Sequence, residues 1–146
     1  MRPLLFLLMS LPALAQDLID NSRWSLRCPA GWKKQHTYAT RVFSGPQPRQ
    51  WTFAATLTGT PLPAKEDLSL SYEQVVPVKL LGRKGFAGRL RAELPNGASW
   101  ASYNYFLPTL DSRWHYVVGI TVRPAKDLEE ARGELGALMG SLKLKR

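Results

Sequence analysis

FAGRLRAELPNGASWASYNYFLPTLDSRWHYVVGITVR, residues 86–123, reads as three consecutive strands joined by two tight turns. Leu90, Ala92 and Leu94 alternate with Arg89, Arg91 and Glu93, the period-two pattern of a strand with one buried face. Pro95-Asn96-Gly97 supplies the first turn, because Asn-Gly accepts the positive φ values of a two-residue hairpin loop. With Asn96 and Gly97 as that loop, Leu90 is expected opposite Tyr103 and Ala92 opposite Ala101. In the third strand Trp114, Tyr116, Val118, Ile120 and Val122 share one face. A four-residue loop over 108–111 then sets Tyr105 opposite Trp114 and Tyr103 opposite Tyr116. A slip of one residue in either pairing would turn a whole set of side chains to the other face.

The same registers predict the composition of the opposite face. Arg89, Asn104 and His115 fall in one row, Arg91, Ser102 and Val117 in the next, and Glu93, Trp100 and Gly119 in a third. Arg89, Arg91, Trp100, Asn104, Arg113 and His115 are therefore the candidate binding residues. Arginine presents a fixed fork of donors to carboxylate or phosphate, Asn and His add directional hydrogen bonds, and an indole offers a stacking surface. The competing reading is that such residues only solvate a half-covered sheet.

Outward from the meander, residues 23–28 form a first strand with Trp24, Leu26 and Cys28 in phase, and 51–58 another with Trp51, Phe53, Ala55 and Leu57 on one face. Leu68, Tyr72, Val75 and Val76 recur at helical spacing, which predicts a helix over 65–76 ended by Pro77. A short edge strand is expected over 78–81, before a turn at 82–85. The strongest helix is 124–142, where Leu128, Ala131, Leu135, Leu138, Met139 and Leu142 make one stripe and Asp127, Glu129 and Glu130 load the first turn. Gly133, Gly136 and Gly140 weaken that helix by up to about 1 kcal/mol each, and are expected to let it lie close on the sheet.

The N-terminus has the layout of a secretory signal peptide: Arg2, an apolar run from Leu4 to Met9, and Ala13-Leu14-Ala15 as cleavage site. That run is far below the roughly 18–20 residues that span a bilayer. Cleavage after Ala15 would take 15 residues from 146 and leave 131, with 16–22 as a flexible lead-in and 23–146 as one domain. The formal charge of +9 becomes +8 without Arg2, which favours anionic partners such as acidic proteins, lipid head groups or wall polymers. Cys28 is the sole cysteine, so no internal disulfide forms and the phase of the strand buries the thiol.

Catalytic machinery is not legible. Neither His36 nor His115 has a cysteine or carboxylate at metal-ligand spacing, and no glycine-rich phosphate loop, Gly-x-Ser-x-Gly or HExxH occurs. No cofactor is expected, and a small hydrolase with an unrecognised site is the residual enzymatic possibility. Lys33, Lys34, Arg83 and Lys84 beside Trp32 and Trp51 could make a stacking and charge surface for an anionic glycan or nucleic acid, though no nucleic-acid motif accompanies them.

Trp24-Ser25-Leu26-Arg27-Cys28-Pro29-Ala30-Gly31-Trp32 and the closing helix with Gly140-Ser141-Leu142-Lys143-Leu144 resemble the opening strand and turn, and the end, of PsbP-like domains. That family includes an extrinsic photosystem subunit, a Ran-binding nuclear protein and exported bacterial proteins. The resemblance implies an α+β fold, an antiparallel sheet with helices packed on it as an α/β/α sandwich. It also implies a non-catalytic binding or assembly role. An exported bacterial module, periplasmic or at the cell surface, that binds another envelope protein is thus the leading expectation. A binder of anionic lipid or cell-wall polymer is the alternative.

Overall fold

A computed structural model describes residues 17–43, 45 and 49–146. The expected signal peptide and most of the loop over 44–50 lie outside the described residues. The strands are β1 (Leu18–Asp20), β2 (Trp24–Arg27), β3 (Lys33–Gln35), β4 (Tyr38–Phe43) and β5 (Arg49–Thr58). After a one-turn helix, α1 (Lys65–Leu68), come β6 (Glu73–Leu80), β7 (Arg83–Glu93), β8 (Ser99–Pro108) and β9 (His115–Arg123). Helix α2 (Leu128–Ser141) and β10 (Lys143–Leu144) follow. Residues 18–20, inside the expected lead-in, pair as β1 with β2 and bury Ile19.

Seven strands form one antiparallel sheet in the order β3-β4-β5-β9-β8-β7-β6, and β1-β2-β10 form a second. Strand accounts for 52% of the described residues and helix for 17%, so the fold is mainly β. The expected α+β sandwich with helices on both faces does not form. Only α2 is long enough to cover a sheet. It shares one face of the large sheet with the small sheet, in a core of Trp24, Leu26, Trp51, Phe53, Tyr116, Ile120, Leu135 and Leu138 among others.

The helix expected over 65–76 shrinks to Lys65–Leu68 because its second half pairs instead. Val75, Val76 and Val78 are β-branched, and β6 gains a ladder with β7 from Glu73↔Arg89 to Leu80↔Arg83. Pro77, which has no N–H to donate, is tolerated because β6 is an edge strand. Gln74, at φ 52, sits where the register shifts between Glu73 and Val76, a bulge that bends this edge. At the other edge β3 has three residues, all exposed.

Both hairpin registers differ from expectation, for different reasons. In the first, Asn96 keeps ordinary backbone geometry and only Gly97 is left-handed, at φ 83. The loop is therefore three residues, 95–97, closed by Leu94 N–H to Ala98 O at 2.7 Å and Gly97 N–H to Leu94 O at 3.0 Å. Ala98 N–H is also capped by Asn96 Oδ1 at 3.0 Å. Leu90 consequently faces Ser102, and Arg89 faces Tyr103. The slip is one residue, so every side chain of β7 changes face relative to β8.

The second loop has the expected four residues but lies two positions later, over 110–113, inside the Thr109–Trp114 pair. Thr109 donates its hydroxyl to Asp111 Oδ1 at 2.6 Å, and Asp111 Oδ1 also accepts Arg113 N–H at 3.1 Å. These bonds draw the turn toward Asp111. Tyr103 then pairs with Ile120 and Tyr105 with Val118, a shift that leaves the faces unchanged.

On the far face of the large sheet, the segment from β5 to β6 crosses over β9, β8 and β7. Leu68, Val75 and Phe106 form a second small core there, with Leu62, Tyr72, Phe86 and Val117 packed round it. This crossing covers half of the face. The half over β4, β5 and β9 has no covering element among the described residues.

Candidate functional site

The open half is built by pairing that the sheet order dictates. Gln50 is opposite Arg123, and Thr52 is opposite Thr121. These four side chains, on two adjacent strands, line a depression of ≈ 350 Å³. Alternation puts them outside because Trp51, Phe53, Ile120 and Val122 on the same strands are fully buried on the other face. The hydroxyls continue in one row across four strands, Thr40↔Thr52↔Thr121↔Ser102. Thr40 and Ser102 are buried at the ends, while Thr52 is half-buried and Thr121 exposed.

The adjoining row is small. Ala54 pairs with Gly119, and Gly119 with Asn104. A Cβ on Gly119 would stand 2.2 Å from Asn104 Oδ1, so glycine is what allows the Asn104 amide to lie across β9. The amide is held there by donating to Ser102 Oγ at 2.9 Å. Trp100, half-buried and paired with Ala92, ends the row of β8 on this face. The result is a mainly polar surface in which Gln50, Thr52, Asn104, Thr121 and Arg123 are joined by Trp100 and by Val42, which is opposite Gln50 and 69% exposed.

Its electrostatics are one-sided. The chain has eleven acidic residues, and none lies on β4, β5, β8 or β9. Four carboxylates, Asp127, Glu129, Glu130 and Glu134, cluster on the helix side, where they pair with arginines. Arg49 Nε donates to Asp127 Oδ2 at 2.7 Å and its Nη2 to Glu130 at 2.6 Å, while Arg41 pairs with Glu134. Both carboxylates on Arg49 raise its pKa, the Asp127 hydrogen bond most. Trp51 Nε1 also donates to Asp127, at 3.0 Å, and Phe43 and Trp51 stack under both guanidinium groups. Arg123 takes part in none of the ion pairs among the described residues. It is exposed.

The six residues expected to act together are dispersed. Trp100 and Asn104 remain on the open face. Arg89 turns to the helix side, 3.4 Å from Glu129 and 3.1 Å from Gln74 Oε1. Arg91 follows it, opposite Ala101. Arg113 is in the β8–β9 loop, where it only donates its N–H to Asp111. His115 is 5% exposed and bonded through Nδ1 to Thr60 O at 2.7 Å, which makes it a clamp on the crossing segment. The one-residue slip in the first hairpin is what separates the arginines from the amide.

The expected stacking surface round Trp32 and Trp51 does not form either, since both indoles are buried. Arg83 is buried as well, with Nη1 donating to Pro108 O at 2.9 Å and the guanidinium over Tyr116. Cys28 is 1% exposed, and burial raises its pKa, followed by the charge of Asp17, which leaves an inert thiol. No group of three His, Cys, Asp or Glu side chains suited to a metal occurs among the described residues, and no described helix is long and apolar enough to cross a membrane.

Sequence reasoning missed Gln50, Thr52, Thr121 and Arg123. Their outward direction was available from alternation in β5 and β9. Their proximity was not, because it depends on a pairing between segments about seventy residues apart, which no turn announces. No family model matches the chain, and no curated protein matches it.

Proposed function

We propose that this chain is an exported, non-catalytic binding module whose working surface is the open half of the large sheet, and that it takes an anionic, hydroxyl-rich polymer of the cell envelope. The observation that carries this is the depression of Gln50, Thr52, Thr121 and Arg123 on β5 and β9, two strands that, like their neighbours β4 and β8, carry no carboxylate. Arg123 would accept a carboxylate or phosphate, the amides and threonines would exchange hydrogen bonds with hydroxyls, and Trp100 would stack on a ring face. A flat surface of this kind suits an extended chain better than a compact molecule. Between the two envelope partners expected from sequence, the mainly polar make-up of this surface, with Val42 and Trp100 as its large apolar members, favours polymer over protein.

Sedimentation with isolated envelope polymer tests it. The protein should pellet with the anionic polymer at low salt and leave it near 1 M salt, where the Debye length falls to about 3 Å. Arg123→Ala should weaken binding about fivefold, the factor expected for one surface ion contact, with the melting temperature unchanged. Retention of a discrete protein partner at high salt, indifferent to Arg123→Ala, would overturn the polymer assignment.

A further inference from the structure

The covered half of the same face holds a second opening, independent of the polymer surface. Between the crossing segment and the β6–β7 hairpin lies a cleft of ≈ 410 Å³, at the low end of the roughly 300–1,000 Å³ of small-ligand pockets. Leu62 forms one wall, and Pro77 and Phe86, directly opposite one another in the ladder, form the floor. The lining is predominantly apolar. The exceptions are Lys79 and Lys84, which stand at its rim.

Those two lysines are cross-strand partners in the register, both exposed. Like charges directly opposite on a sheet repel, an arrangement that destabilises the hairpin by itself. Neither lysine belongs to any ion pair among the described residues. Solvation by snorkelling accounts for one exposed lysine stem over apolar surface. It does not account for two lysines at directly opposite positions beside the same apolar floor. An anion placed between them would relieve the repulsion and leave its apolar part on Phe86, Pro77 and Leu62.

We infer that the β6–β7 cleft binds a small anionic amphiphile, a single short apolar tail carrying one carboxylate. The tail lies between Leu62 and Phe86, and the head bridges Lys79 and Lys84. The hairpin supplies the floor, and Leu62, on the crossing segment, supplies the wall. The edge position of β6 leaves the cleft open from the side, so the ligand enters without disturbing the core.

Octanoate, octanol and octylamine share a tail and differ in head charge, which makes them the probes. Titration of the full chain, followed by calorimetry and by amide chemical shifts of β6 and β7, should show octanoate binding at least about fivefold tighter than octanol, and octylamine weakest. Lys79→Gln and Lys84→Gln should each weaken octanoate by about the same factor and leave octanol unaffected. Lys126→Gln, an exposed basic residue outside the cleft, serves as the control. Leu62→Ser should weaken octanoate and octanol alike, with a thermal melt to confirm that the variant is folded. Equal binding of the three probes, or indifference of octanoate to both lysine substitutions, would overturn the assignment.

Discussion

Gly133, Gly136 and Gly140 recur along α2, and a Cβ added at any of them would meet no atom within 4 Å. All three are exposed, so they do not bring the helix close to the sheet as their spacing suggests. The buried stripe is Leu128, Ala131, Leu135 and Leu138. Replacing the three glycines together by alanine should therefore stabilise the protein. Alanine reduces the backbone freedom of the unfolded chain without strain in the folded one. Gly133 and Gly136 are interior and should contribute about 0.8–1 kcal/mol each, and Gly140, one residue from the helix end, about half that. The sum is about 2 kcal/mol, or roughly 6–10 °C in melting temperature for a domain of this size.

Urea unfolding followed by the emission of the buried Trp24, Trp32 and Trp51 reads this directly. With m of about 2 kcal/mol/M, the midpoint should rise by about 1 M. Ala131→Gly, on the fully buried side of the same helix, should lower it. An unchanged or lowered midpoint in the triple variant would refute the reasoning. It would mean that the outer face of α2 is packed in the native protein.

Two further outcomes follow from buried polar groups. Asp127→Ala should cost about 2 kcal/mol, because it orphans the buried Trp51 indole N–H, whereas Asp127→Asn, which keeps an acceptor, should cost less than half as much in the same urea assay. Burial raises the pKa of Cys28 above its ordinary 9.0 and that of Tyr105 above 10.0, so the folded chain holds both protons longer than the unfolded one. Stability from these groups is present below pH 9 and falls as pH rises beyond it, and a melting series across pH 7–11 should flatten in a Cys28→Ala, Tyr105→Phe variant.

The faces of single strands were legible in the residues, and their relations only partly so. Strict alternation was enough to assign Trp51, Phe53, Ile120 and Val122 to a core, and a 3.6-residue stripe was enough for α2. The loop at 95–97 was not, because Asn-Gly serves a two-residue and a three-residue hairpin equally well, and the difference lies in the φ of one residue. Leu68, Tyr72, Val75 and Val76 fit a helical period, but three of the four face β7 or β8 from a strand or from the turn before it. A helical window that short carries β-branched residues as easily as a strand does, and tertiary pairing decided it. The candidate site depended on both weak points. One wrong loop length removed two arginines from it, and an unseen long-range pairing concealed Arg123 and Gln50.

The margins of the large sheet bear on how the molecule behaves in company. At one margin Pro77 withholds a donor and the Gln74 bulge breaks the repeat, and at the other the last strand is three exposed residues, two of them lysine. Among the described residues, a neighbouring copy finds only short runs of unpaired strand at these margins. Crowding, as in a confined compartment filled with other chains, should therefore not string these molecules into ribbons.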